Sequence, residues 1–299
     1  MSERRRGELV DAALSYVLIG LADGSTYAVV GLGISLLYQV TGIINFAQGD
    51  FVMLGGLTYA VAAGAGAPKI AAAALALTVA AAIGALIHVA VLAPARKAGP
   101  DRLIILTIGA SILVQGAALL VFGAEQHPAD PFGGNDQVRL FGTFLSTQYL
   151  WCAGATLLAA AAVWALLNRT GWGRAMRATA ADREMARLMG LSPMRMGLIA
   201  MVVAAVLAGI GGIVLAPLQP PDPTVGVTLG LKGFTAAVLG GLSSPFGAVT
   251  GGLAVGVVEA FVTGLVSSGY RDSIVYGLLV LVLLVRPGGL VTLRRARRV

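Results

Sequence analysis

The chain has 299 residues, of which 57 % are hydrophobic and only 12 % charged, whereas about a quarter of an ordinary soluble domain is charged. That balance excludes a soluble globular enzyme, a disordered chain and a nucleic-acid binder of normal type. The formal net charge of +7, from 21 basic and 14 acidic residues, fits cytoplasmic loops beside anionic lipid better than a nucleic-acid surface.

The expected fold class is all-α, a polytopic membrane protein. At ~20 residues per crossing the length holds about eight transmembrane helices, with room for one broken or re-entrant segment. The 41 glycines suit a bundle in lipid, where small residues let helix backbones approach closely. Cys152 is the only cysteine, so no internal disulfide forms.

In chain order, the polar start with Arg4, Arg5 and Arg6 lacks the short apolar core and cleavage site of a signal peptide. Apolar segments follow at 12–40, interrupted by Asp23, Ser25 and Thr26, then at 43–65 and 70–95, the last with His88 inside. Basic residues Arg96, Lys97 and Arg102 precede a fourth segment at 103–121. The loop 122–148 carries Glu125, Asp130 and Asp136 against Arg139, and Trp151 and Trp172 bracket a fifth segment at 149–167 as interfacial aromatics do. The basic stretch 169–195 leads to a segment at 197–217, a proline-rich loop, a weak segment at 225–241, and the last two at 248–266 and 273–284. The tail carries Arg286, Arg294, Arg295, Arg297 and Arg298.

Positive residues stay on the cytoplasmic side, which places 96–102, 169–195 and the tail inside and 122–148 outside. Three segments then separate Arg4–Arg6 from 96–102. Either the triple arginine lies outside, or an early segment is broken or re-entrant.

No catalytic constellation is present: there are two histidines, one cysteine, and no nucleophile elbow, zinc-protease or Walker motif. No cofactor or metal site is expected. Functional candidates are polar residues inside apolar runs, where they are costly. Asn45, Gln48 and Asp50 form the first group, read either as an unwound substrate path or gate, or as a polar turn at the membrane surface. Ser25 and Thr26 either line the same path or cap locally. Glu259 is a pathway acid or a helix-pairing carboxylate, with Lys232 a conceivable partner, and His88 reads as an interhelical hydrogen bonder. Gly247-x-x-x-Gly251 and Gly252-x-x-x-Gly256 fit close helix packing.

Residues 173–189 read as one Ala/Arg-rich helix, capped by Gly190 and followed by Ser192-Pro193 as the start of the next helix. Its basic face binds anionic lipid or docks onto a soluble partner.

Five segments together resemble the permease subunits of bacterial branched-chain amino acid ABC transporters, H-subunit type: 20–28 (GLADGSTYA), 42–50 (GIINFAQGD), 173–181 (GRAMRATAA), 233–241 (GFTAAVLGG) and 286–290 (RPGGL). Gln48 and Asp50 stand where that family often has His and Glu. The resemblance covers nearly the whole chain and implies one permease domain over 1–299, with a coupling segment at 169–196. It implies an importer in the bacterial inner membrane, with a second homologous permease, two cytoplasmic ATPases and a periplasmic binding protein as partners. ATP hydrolysis would belong to the ATPases, so the chain itself is not expected to be an enzyme. Arg174, Arg177, Asp182, Arg183, Glu184, Arg187, Gly190 and Ser192 would then couple to the ATPases. The cargo would be branched-chain or other hydrophobic amino acids; urea or short amides, or an ATP-independent facilitator, are the alternatives.

Overall fold

The computed structural model describes residues 2–95, 98–134, 137–140, 143–285 and 289, with side chains described from residue 13 onward apart from 139–145. The expectations for Arg96, Lys97, Asp136, the side chains of Arg4–Arg6, the 286–290 motif and the C-terminal arginines lie outside the described residues.

The described chain is helical, with eleven α-helices. They are α1 (Ser2–Thr41), α2 (Gln48–Gly64), α3 (Lys69–Ile87), α4 (Pro100–Phe122), α5 (Thr147–Arg169), α6 (Gly171–Ala181), α7 (Arg183–Leu188), α8 (Pro193–Leu215), α9 (Val225–Gly240), α10 (Pro245–Leu265) and α11 (Arg271–Val285). A π turn at His88–Leu92 extends α3. Seven helices are long and apolar enough to cross a membrane, and α9 is a shorter apolar one. The chain is a multi-pass membrane protein.

Four features differ from the sequence reading. Residues 122–148 hold a short antiparallel hairpin, β1 (Gln137–Leu140) with β2 (Thr143–Ser146). The last helix starts at Arg271, preceded by a single 3₁₀ turn, rather than at 273. The segment read as one helix over 173–189 is two, because Asp182 adopts an extended backbone and its carboxylate caps α7. The segment read as 43–65 is helical only from Gln48, leaving 42–47 outside any helix.

Helices α1 and α8 are the most buried of the spanning helices, and α11 the least. Glycine explains why the bundle closes so tightly. A methyl on Gly24 would sit 2.8 Å from the Gly252 carbonyl oxygen, and one on Gly252 or Gly256 would collide with the backbone of α1 at Ala28 or Gly24. The companion pair, Gly247 and Gly251, meets α9 at Gly240 and Ala236. The two small-residue motifs on α10 therefore serve different neighbours. In lipid, where no hydrophobic force drives helices together, such contact supplies the packing energy.

Tyr16 of α1 donates to the Gly264 carbonyl near the end of α10, and Ser35 donates to Leu242 just before α10 begins. The two helices therefore run antiparallel. At its far end Thr41 meets Gly197 near the start of α8, close to the 169–196 segment. The described start of α1 thus lies at the end of the bundle opposite that basic segment. The described start of α1 on the far side fits the first reading of the N-terminal arginines, and the early segment is also broken, at 42–47, as in the second.

Glycine contact predicts a contrast. Gly252→Leu should destabilise the purified protein by about 3 kcal/mol or more, since backbone lies on the side where a side chain must go. Gly116→Ala, on α4 with nothing within 4 Å, should be neutral or stabilising by up to about 1 kcal/mol. Thermal unfolding of both variants in detergent reads the difference.

Candidate functional site

The break between α1 and α2 is built by its own side chains. Gly42, at φ +65°, ends α1 in the left-handed conformation that glycine tolerates best, and its N–H bonds Tyr38 O at 2.7 Å. The Thr41 hydroxyl donates to Leu37 O (2.7 Å) and accepts from Ile43 N (3.2 Å). Asn45 Oδ1 then accepts from Ala47 N at 3.1 Å, an Asx turn that starts α2.

The stretch is not a surface turn. Asn45, Gln48 and Asp50 are 2 %, 0 % and 1 % exposed. Gln48 Nε2 donates to Ala204 O of α8 at 2.8 Å. Ala204 lies eleven residues past Pro193, about 16 Å along the helix, roughly half of a ~30 Å hydrocarbon core. The chain therefore enters the bundle unwound and begins α2 at mid-depth.

Helix α9 meets it there. The 216–224 stretch turns back into the bundle, with Pro221 beside Gly56, and α9 brings Gly226 to Asp50 and Gly230 to Gly49. The first turns of two short helices thus cross at backbone contact, in an arrangement like the discontinuous helices of transporters.

Helix α4 supplies polar partners the sequence reading missed. Thr107 accepts from Phe46 N at 3.4 Å, and Gln115 Nε2 donates to Asp50 Oδ1 and to Ser111 Oγ, both at 2.9 Å. Thr107, Ser111 and Gln115 are spaced i, i+4, i+8, so they share one helix face, and that stripe within an apolar run was the available signal. Asn45 Nδ2 reaches only Met201 Sδ at 3.6 Å, a weak acceptor. Gln48 Oε1 and Asp50 Oδ2 are buried without a hydrogen-bond partner among the described residues, so the crossing retains unused polar capacity.

The other candidates lie elsewhere. Ser25 donates to Leu21 O (2.7 Å) within its own helix, while its carbonyl accepts from Thr156 of α5. Thr26 is buried beside it, its hydroxyl unpartnered. Glu259 belongs to an ionic cluster joining α1, α9, α10 and α11. Lys232 lies 2.7 Å from Glu259 and 2.8 Å from Asp272, and Arg271 bridges Glu259 to Asp23. Lys232 is thus the partner the sequence raised, Asp23 finds a cation in Arg271, and Arg271 and Asp272 are the members the sequence did not mark. His88 Nε2 lies 3.2 Å from Met194 O on α8, an interhelical bond inside the π turn.

The coupling segment is shaped by caps. Thr170 caps α6 through Gly173 N, and Asp182 Oδ1 caps α7 through Glu184 N (2.9 Å) and Met185 N (3.0 Å). Gly190, at φ +79°, closes α7: its N–H bonds Arg187 O, and Leu191 N bonds Ala186 O, the double bond of a Schellman motif. Ser192 Oγ then accepts from Arg195 N, and Pro193 opens α8. Met176, Thr179 and Ala186 face the bundle, whereas Arg174, Arg177, Arg183, Glu184 and Arg187 are exposed. Four large apolar side chains are exposed among them: Trp172 (57 %), Met185 (60 %), Leu188 (80 %) and Met189 (81 %). In the sequence the arginines and, as an interfacial aromatic, Trp172 stand out; Met185, Leu188 and Met189 do not.

One cavity of about 1180 Å³ connects the two regions. Gly42, Ile43 and Ile44 of the break and His88 line it, as do Arg183, Arg187 and Ser192 of the coupling segment. An Arg183 guanidinium nitrogen lies 3.4 Å from where a Cβ on Gly42 would stand.

Comparisons with known proteins agree with this architecture. The family described as "Branched-chain amino acid transport system / permease component" matches residues 16–284. The high-affinity branched-chain amino acid transport system permease protein BraD of Pseudomonas aeruginosa is 34 % identical over 295 residues, covering 93 % of this chain and 95 % of that one. The corresponding LivH protein of Escherichia coli is 33 % identical over 291 residues, covering 93 % and 94 %. The ribose import permease protein RbsC of Escherichia coli is 28 % identical over 256 residues, covering 83 % and 75 %. The chain belongs to the branched-chain amino acid transport system permease component family.

Proposed function

We propose that this chain is one of two permeases of an ABC importer in the bacterial inner membrane. It passes branched-chain or other hydrophobic amino acids inward from a periplasmic binding protein. A second homologous permease completes the pore, and two cytoplasmic ATPases drive alternating access. The observation that carries this reading is the shared cavity: Arg183, Arg187 and Ser192 of the surface segment and Gly42, Ile43 and Ile44, where the unwound break begins, line one space.

Trp172, Met185, Leu188 and Met189 are exposed on the same segment as Arg174, Arg177, Arg183, Glu184 and Arg187, so apolar surface is interleaved with mostly basic charge. A soluble partner with an apolar groove and acidic edge fits that surface. The caps at Asp182, Gly190 and Ser192 fix the turns that join α6, α7 and α8. Displacing α7 moves Arg183 against Gly42, where α1 ends and the break begins. Residues 42–47 lie outside any helix, so they yield more readily than the helices around them.

Asn45, Gln48 and Asp50, with Ser25 and Thr26 on α1, are assigned to the substrate path and its gate. Glu259 is assigned to the pathway nearer the end of the bundle opposite the coupling segment, where its ionic cluster ties α11 to α1 and α10. Weak polar contacts at the crossing favour passage over trapping, and affinity rests with the binding protein. Amino acids are favoured over ribose because BraD and LivH match 93 % of the chain at 33–34 % identity, against 28 % for RbsC.

Affinity purification from native membranes with mass spectrometry should recover two ATPases and a second permease. Arg183→Glu with Arg187→Glu should lose the ATPases and ATP-dependent uptake while the chain stays in the membrane. A homo-oligomer without ATPases, or unchanged uptake in the double variant, overturns the assignment.

Asp50→Asn keeps a carbonyl for Gln115 and should leave assembly intact. Uptake of a branched-chain amino acid should nevertheless fall about tenfold, as expected when a bond to a charged group is replaced by a neutral one. Uptake at the parental rate removes Asp50 from the path.

A further inference from the structure

We infer that the trough between α3, α5 and α8 is a binding site for a phospholipid, which takes one acyl chain along its floor and the headgroup phosphate at Lys69. The trough has a volume of about 770 Å³. Its α5 wall runs from Trp151 to Leu166, about 22 Å along the helix, most of the depth of a ~30 Å hydrocarbon core. Leu77 and Leu158 stand on opposite walls, and the lining is almost wholly apolar.

The floor distinguishes an acyl chain from a protein helix. Close helix contacts in this molecule run over glycine, as at Gly24 with Gly252, Gly49 with Gly230 and Gly55 with Gly209. The α5 wall carries small residues, Gly154, Ala159 and Ala162, but the floor facing it is Val203, Val206 and Ile210 of α8. These β-branched side chains hold a neighbouring backbone away, whereas a fluid hydrocarbon chain fills the irregular space between them.

The mouth supplies charge complementarity. Lys69 opens α3 at the end of the bundle opposite the coupling segment and is exposed. It lies over the Phe132 ring, 5.7 Å from its centroid, and donates to Pro131 O at 2.8 Å. An ammonium has three donors, so this bond orients the group while leaving donors for a phosphate oxygen. Phe132 packs on Trp151, with centroids 5.8 Å apart, and both line the trough. A cation over the phenyl ring that packs on an indole, above an apolar slot, matches a phosphate above its acyl chain, with the indole at headgroup level.

The test uses the chain with its accompanying subunits, reconstituted in vesicles of phosphatidylethanolamine and phosphatidylglycerol and released into detergent for native mass spectrometry. One phospholipid should remain bound per copy of this chain. Lys69→Gln, a change at an exposed site, should lower that occupancy about fivefold, the effect of one cation near a membrane surface. Ala155→Phe with Ala162→Phe, which fills the trough from the α5 wall, should abolish it. Absence of any retained phospholipid in the parental protein, or equal retention in the variants, overturns the proposal. Loss of a protein subunit from the double phenylalanine variant with the phospholipid retained would assign the trough to a partner helix instead.

Discussion

An unwound backbone inside a bilayer must find every hydrogen bond within the protein, because lipid offers none. That constraint governs the structure around residues 42–47. Thr41, Asn45 and Thr107 satisfy the backbone of the break, Gln48 anchors it to the α8 carbonyl of Ala204, and Gln115 holds Asp50. The helices that supply these groups must come close, and glycine permits it: Gly49 lies against Gly226 and Gly230, and Gly55 against Gly209. The polar break and the glycine-rich packing are therefore two sides of one solution.

The same economy explains why two helices are short. α9 spans 16 residues and α2 spans 17, about 24–26 Å each, less than a full crossing with its interfaces. Each begins inside the bundle, and their first turns meet at Asp50 and Gly226. A straight pair of full-length helices would leave no irregular backbone at that depth, and no segment able to move without unfolding a helix. The ionic cluster of Lys232, Glu259, Arg271, Asp23 and Asp272 has a contrasting character. It is paired charge joining four helices, and breaking one partner of such a buried group is costly, which suits a latch.

Much of this was legible in the sequence. Long apolar runs located the spanning helices, Gly190 and Ser192-Pro193 located the end of α7 and the start of α8, and both small-residue motifs on α10 make close contacts. The polar cluster at 45–50 marked an irregular segment, yet periodicity alone left a surface turn equally open. Its burial depends on α4, α8 and α9, each distant in sequence. Asp182 was read as part of a continuous helix because its role as a cap depends on an extended backbone, which composition does not show. Met185, Leu188 and Met189 were passed over for the same reason: only the fold shows which face of the segment turns away from the bundle. The 137–146 hairpin carried too weak an alternation to stand out within a polar loop.

The central claim is that the break opens when the coupling segment is driven. Cysteine substituted for Ala47, which is fully buried, in a Cys152→Ser background of the assembled complex measures this directly through its reaction with a small water-soluble thiol reagent. The account predicts slow labelling without nucleotide and rapid labelling during ATP turnover. Labelling equally slow in every nucleotide state would contradict it.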